Sequence, residues 1–229
     1  MDILAVLVGA PDARTEAAVR VLRGYGTVEL ATVPDGPDKS TVDPVLSTVE
    51  GRRLVVLADL PGLNRVVLRL LRRSLLDTTP VGAVVGSPQW TRTVGLPADP
   101  AAAARVAATG TPVELGLVHD DQGGIVLHAA TLRPWSGGRF GVRGYVEDAE
   151  LVNDRVRELA VIPDGDALRA TARRGHLRTT TTLRGRAVTV SCEGARLTVD
   201  GAELANLRRR TTWWHETARW RLIRPTLRP

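Results

Sequence analysis

Apolar and polar positions alternate in two different rhythms along this chain, and the change of rhythm divides it. Ile3–Val8 is a short apolar run ended by Gly9, Pro11 and Asp12, which predicts a buried first strand. Asp12 or Thr15 then caps a helix whose inner face is Ala17, Val21 and Leu22, closed by Gly24. Thr27–Val33 predicts a second strand, Pro34–Pro37 a turn and Val42–Val49 a helix. Leu54–Leu57 opens a third strand, which breaks at a turn carrying Asp59, Pro61 and Gly62. Leu63, Val66, Val67, Leu70 and Leu71 then fall on one face of a helix. Pro80–Gly86 is a fourth apolar run, and Ser87–Pro97 is too rich in Pro and Gly for one regular element. Asp99 followed by Pro100, with Gly110 beyond the alanines, frames a helix over Pro100–Ala108. Strand and helix in alternation is the order of an open α/β sheet.

From Thr111 the period shortens to two. Val113, Leu115 and Leu117 lead into a turn at Asp120–Gly124 and a return strand over Ile125–Leu132, a hairpin. The glycines from Gly137 to Gly144 predict a loop. Tyr145–Ile162 fits strands with turns at Glu147–Ala149 and Asn153-Asp154, although its later part also reads as helix. Val188–Cys192, Ala195–Val199 and Trp213–Ile223 add strands, and Asp200-Gly201 supplies a turn. An α/β half followed by an all-β half predicts two domains, residues 1–112 and 113–229.

Charge changes this picture in one respect. Residues 169–229 carry 14 Arg against four acids, whereas residues 1–168 carry 17 basic and 21 acidic residues. The asymmetry fits either a solvated basic face or a polyanionic partner such as an anionic membrane surface. Arg abundance in itself says little: Lys39 is the only lysine, a usage that points to a GC-rich coding bias. Cys192 is the only cysteine, so neither an intrachain disulfide nor a Cys-based metal cluster is expected; its alternating segment assigns it a small apolar role. The N-terminus lacks a signal peptide's positive region and no apolar run reaches a membrane span, so a cytoplasmic chain is expected.

Gly51–Val56, Val94-Gly-Leu-Pro97, Asp99–Gly110, Thr198–Glu203 and Trp220–Pro225 together carry a resemblance. In their order and spacing they resemble the bacterial diacylglycerol kinase and lipid kinase family, related to the sphingosine and NAD kinases, in the style of its actinobacterial members. The resemblance implies an α/β nucleotide-kinase-like domain, then an antiparallel β-sandwich, with the active site in a cleft between them. It also implies a last strand or tail that packs back on the first domain.

The departures from that family are specific. Its Gly-Gly-Asp-Gly-Thr hallmark aligns with Ala58-Asp59-Leu60-Pro61-Gly62, which puts Leu60 at the Asp position and Pro61, without an N–H, at a glycine. Its second motif, Gly-Thr-Gly-Asn, is replaced by Gly86–Arg92, with only Arg92 in register, and the pattern expected after the first strand is missing at Gly9–Asp12. The resemblance therefore implies a vestigial nucleotide site at Asp59, Gly62, Asn64, Trp90 and Arg92. The family's catalytic base has its nearest counterpart in Asp164 or Asp166, within a segment that an ordinary Asp-Gly turn also explains.

His119, His128, His176 and His215 are scattered without metal-site spacing, so no metal is expected. His128 lies in an apolar strand that by family analogy approaches the cleft, and it joins Asp59 and Asp166 as a candidate catalytic residue. The tail Arg208–His215, with Arg219, Trp220 and Arg221, interleaves Arg and Trp. It suits strand packing, with a possible membrane-facing role; no nucleic-acid module signature is present. The resulting expectation is a pseudokinase that needs no cofactor and binds a lipid, small molecule or protein partner, a second copy of itself included. One alternative is an enzyme of another class built around Asp59, Asn64, Trp90, Arg92, His128 and Asp166. The other is an atypical lipid kinase that still uses ATP and Mg on diacylglycerol.

Overall fold

The computed structural model describes residues 1–175, 180–204 and 208–226, with the Arg208 side chain left aside. His176 lies outside the described residues. The chain forms two compact units, Met1–Leu115 with Arg219–Pro229, and Gly116–Ala218.

In the first unit, β1 (Asp2–Val8), β2 (Thr27–Val33), β3 (Arg53–Ala58) and β4 (Val81–Val85) are parallel and ordered β2-β1-β3-β4. The continuous apolar runs of β1, β3 and β4 follow from cover on both faces, whereas β2, at the edge, is largely exposed. Ile3, Ala5 and Leu7 pack under α1 (Ala13–Arg23) and α5 (Pro100–Thr109). Val8, out of phase by one residue, reaches toward α3 (Leu60–Arg72), which contacts α2 (Lys39–Leu46). The alanines of α5 have a steric reason: a Cβ on Gly82 of β4 would lie 2.7 Å from the Ala107 Cβ, so helix and sheet touch almost backbone to backbone. Arg53 donates from Nε to the Ala107 carbonyl and from Nη2 to the Gly110 carbonyl, both at 2.7 Å, serving the last carbonyls of α5.

Two expectations are corrected here. Ser87–Pro97 contains a regular element, α4 (Pro88–Val94), because Ser87 caps it, Pro88 sits in its first turn and Gly95 closes it at φ 71°. Pro and Gly there mark the two ends of a short helix. Helix α2 begins earlier than Val42, since Asp38 and Thr41 form a reciprocal capping box.

A fork between α2 and α3 carries a pH prediction. Arg69 donates from Nε and Nη2 to the two Asp43 oxygens at 2.8 and 2.7 Å, holding that carboxyl below its usual range while Arg69 is raised. A lowered carboxyl contributes stability in full above its unfolded pKa and loses it as pH falls through the folded value. Asp43→Asn should therefore cost about 1 kcal/mol at neutral pH, and the difference should shrink as pH falls below the usual carboxylate range, measured by urea unfolding at neutral and acid pH.

The second unit is antiparallel throughout. β5 (Thr111–Asp120) enters it and pairs with β6 (Ile125–Val126). β7 (Ala130–Pro134), β8 (Phe140–Val146), β9 (Ala149–Val156), β10 (Glu158–Asp164), β11 (Ala167–Arg173) and β12 (Thr180–Gly185) follow. They are joined by β13 (Ala187–Val199), β14 (Ala202–Glu203) and β15 (Arg208–Arg224). β7 and β8 pair with successive halves of β13, on either side of a register shift between Ser191 and Ala195. The core holds Leu132, Phe140, Leu159, Leu168, Val190 and Trp213. Half-buried Cys192 packs against it, and burial pushes its thiol up. β15 ends in the first unit, where Leu222 pairs in parallel with Val81 of β4.

Three further expectations are corrected in this unit. Gly141 and Gly144 lie inside β8, where a Cβ on Gly144 would make ordinary van der Waals contact with Val152, Leu159 and Val190. Asn153 and Asp154 sit in mid-strand on an exposed stretch of β9, so their polarity reflects solvent rather than a turn. The strand expected over Ile125–Leu132 is interrupted at Leu127–Ala129, where a distant carboxylate takes up the backbone N–H groups.

Candidate functional site

In an open parallel sheet, loops beyond the carboxyl ends of the strands form the natural ligand edge. Three such turns lie side by side in the first unit. Leu7 is in register with Leu57, Ala58 with Val85, and Gly86 N–H donates to the Ala58 carbonyl at 3.2 Å. The turns Gly9–Asp12, Asp59–Gly62 and Gly86–Ser87 therefore line one edge, each opening a helix.

Each of these helix N-termini is already occupied by a side chain of its own turn. Asp12 accepts from Thr15 N–H at 2.7 Å, and Thr15 Oγ1 accepts from Asp12 N–H at 2.8 Å. Those Thr15 hydrogen bonds hold the Asp12 carboxyl below its usual range. Asp59 accepts from Gly62 N–H at 2.7 Å, and Ser87 Oγ from Trp90 N–H at 3.5 Å. At α3 the fit is tight, since a Cβ on Gly62 would meet Asp59 Oδ1 at 2.9 Å and Val8 Cγ1 at 3.0 Å. Two of the three caps are carboxylates, and a carboxylate at an N-terminus stabilises the helix for the same reason that a phosphate binds there.

The sequence-derived candidates distribute unevenly around this edge. Asp59, Gly62 and half-buried Asn64 belong to the cap and first turn of α3, with Leu60 buried beside them. Arg92 is exposed on α4. Trp90 is 0 % exposed, so its indole fills the interior beneath the edge.

His128 and Asp166 belong to the second unit. Asp166 ends the β10–β11 turn and meets Arg184 of β12 at 2.5 Å, while Asp164 lies 3.4 Å from the same guanidinium. This is an Arg-clamped hairpin turn open to solvent. His128 is half-buried in the interruption between β6 and β7. Its backbone N–H donates to Asp200 Oδ1 at 2.8 Å, as Ala129 N–H does at 3.0 Å, and Leu127 N–H donates to Asp200 Oδ2 at 2.8 Å. Asp200 in turn donates its own N–H to the Ala129 carbonyl.

This buried Asp200 (2 % exposed, φ 51°) was visible in the sequence only as half of an Asp-Gly turn. The positive φ suits that reading, since Asp tolerates the left-handed region better than most residues. Nothing local announces that its carboxylate organises a segment more than 70 residues earlier.

The tail tryptophans divide by alternation along β15. Trp213 and Trp220 are buried, while half-buried Trp214 stacks on His119 with ring centroids 5.7 Å apart. Glu216 stands 4.0 Å from the His119 ring and is held below its usual range: burial raises it, but Thr217 hydrogen bonds and His119 prevail. Among the described residues, no three His, Cys, Asp or Glu side chains converge as a metal site. No described helix is long and apolar enough to cross a membrane.

No protein-family model and no curated protein matches this sequence. Solved structures do match. A diacylglycerol kinase from Bacillus anthracis str. Sterne has a TM-score of 0.74 at 11% identity, covering 97% of this chain and 96% of its own. Two putative diacylglycerol kinases from the same organism give TM-scores of 0.75 and 0.77, each at 10% identity and over 97% of this chain, and over 97% and 96% of their own. An NAD kinase from Archaeoglobus fulgidus, in complex with ATP, gives 0.61 at 12% identity over 96% of this chain and 93% of its own.

Proposed function

We propose, starting from a chain with the fold of the diacylglycerol kinases and NAD kinases, that this protein is a pseudokinase: it does not hold ATP, transfers no phosphate, and acts by binding a lipid, a small molecule or a protein partner. The observation that carries the reading is the capping of α3. Asp59 takes the Gly62 amide at 2.7 Å, Pro61 has no N–H to offer, and Leu60 is buried where the resemblance expects an acid. A triphosphate would have to displace a carboxylate that is bound within its own turn, and it would approach beside a second carboxylate at Asp12. Like charges repel, and the Gly62 amide is already satisfied.

Phosphoryl transfer needs positioned phosphates, a metal and a base together. The donor set at the sheet edge does not fit a nucleotide. Isothermal titration of the full chain with Mg·ATP should give no saturable heat up to about 1 mM, the upper end of ordinary substrate affinities. Labelled phosphate should not pass from ATP to diacylglycerol in mixed micelles. A micromolar affinity in the first experiment, or transfer in the second, overturns the reading in favour of a working kinase.

A further inference from the structure

The most exposed large apolar side chain described is neither at the sheet edge nor in the Arg/Trp-rich tail. It is Trp135, 55 % exposed, in the loop joining β7 to β8. Topology gives this loop its surroundings. Because β7 and β8 pair with successive halves of β13, the loop rises at the register shift between Ser191 and Ala195. The first residues of β15 border the same shift, with Arg210 opposite Ser191 and Arg208 opposite Ala195. The end of β9 arrives there as well, with Arg155 opposite Gly141.

This end of the second unit is strongly basic. Arg196 lies over the Trp135 ring at 5.1 Å, and Arg155 donates to the Arg139 carbonyl at 2.8 Å. Its acids are engaged: Glu158 with Arg133 at 2.7 Å, Glu203 with Arg196 at 3.1 Å, and Glu193 with the Gly141 N–H at 3.2 Å. Exposed Arg139, Arg209 and Arg210 form no ion pair among the described residues.

We infer that the Trp135 loop, with Arg139, Arg209 and Arg210, is a docking surface for an anionic lipid bilayer. An exposed indole at an end of the unit that also carries exposed arginines has the chemistry of an interfacial anchor: the ring enters the headgroup layer while guanidinium groups meet acidic headgroups. Nucleic acid fits less well. Stacking platforms present several open aromatic faces, whereas here one indole stands alone with a guanidinium over its ring. The tail tryptophans contribute nothing to this surface, since Trp213 and Trp220 are buried and Trp214 stacks on His119. The inference is independent of whether the first unit holds ATP.

Sedimentation of the full chain with vesicles tests it, using phosphatidylcholine alone or with about a third phosphatidylglycerol at low and high salt. Binding should require the anionic lipid and weaken with salt. Each Arg near such a surface contributes roughly five-fold in partitioning, so Arg139→Glu/Arg209→Glu/Arg210→Glu should lose at least about 100-fold. Trp135→Ala should lose roughly ten-fold or more with an unchanged melting curve. Arg105→Glu, an exposed charge reversal on α5, should bind as the wild type does. The inference falls if anionic vesicles do not bind the wild type, or if the triple variant binds them as well as Arg105→Glu does. It also falls if a labelled single-stranded oligonucleotide binds at micromolar affinity while vesicles do not.

Discussion

Asp200→Ala should lower the stability of the protein by about 3–5 kcal/mol, among the largest effects available to a single polar residue in this chain. Three backbone N–H groups, from Leu127, His128 and Ala129, end on one carboxylate that is 2 % exposed. Removing it leaves buried donors without an acceptor, which costs more than the bonds contributed when made. Alanine would also have to hold φ near 51°. Two further variants separate these causes. Asp200→Gly relieves the backbone but not the amides, and should recover only about 1 kcal/mol of the loss. Asp200→Asn keeps one acceptor oxygen and tolerates the left-handed region, and should fall between Gly and wild type. Urea unfolding of the four proteins checks the order; an alanine variant within about 1 kcal/mol of wild type would show that the segment finds other acceptors.

The second large effect concerns Trp90. Trp90→Ala should cost about 3–5 kcal/mol, because the indole is fully buried and its loss opens a cavity that α4 and the sheet cannot fill. Trp90→Phe should retain most of the stability. The buried indole Nε1 has no hydrogen-bond partner among the described residues, so replacing it by carbon leaves no polar group stranded. Thermal unfolding of the pair decides the matter. Equal losses in Ala and Phe would mean that the indole nitrogen, rather than ring volume, is what the site needs, and Trp90 would return as a polar group for a ligand.

These two residues show where sequence was sufficient and where it stopped. The parallel layer was legible because Ile3–Val8, Leu54–Leu57 and Pro80–Gly86 are unbroken apolar runs, a pattern that only a strand covered on both faces requires. Asp99 could be placed at a helix start, and the cap of α1 narrowed to Asp12 or Thr15, because capping is local, settled within three residues. Spacing along a motif places Trp90 at the vestigial nucleotide site but does not reveal which side of a seven-residue helix faces inward. His128 was assigned to a strand because its neighbours are apolar; the break there depends on Asp200, a partner too distant for any periodicity to report. The Arg/Trp tail was ambiguous for a related reason. One strand alternates between buried Trp213 and half-buried, stacked Trp214, and composition averages over the two faces.

The route of β15 bears on how the protein is made. Its first residues pair with β13 and its last with Val81 of β4, so the first unit is closed by residues near the end of the described chain. During synthesis, Met1–Leu115 leaves the ribosome with the outer edge of β4 unpaired, and it stays unpaired while the next hundred or so residues are added. An open edge of a sheet is a template for another strand, and the nascent chain carries this one throughout the translation of the second unit. Translation rate and chaperone access over that interval therefore bear on the yield of folded protein, and a fragment ending near Leu115 would keep the open edge permanently.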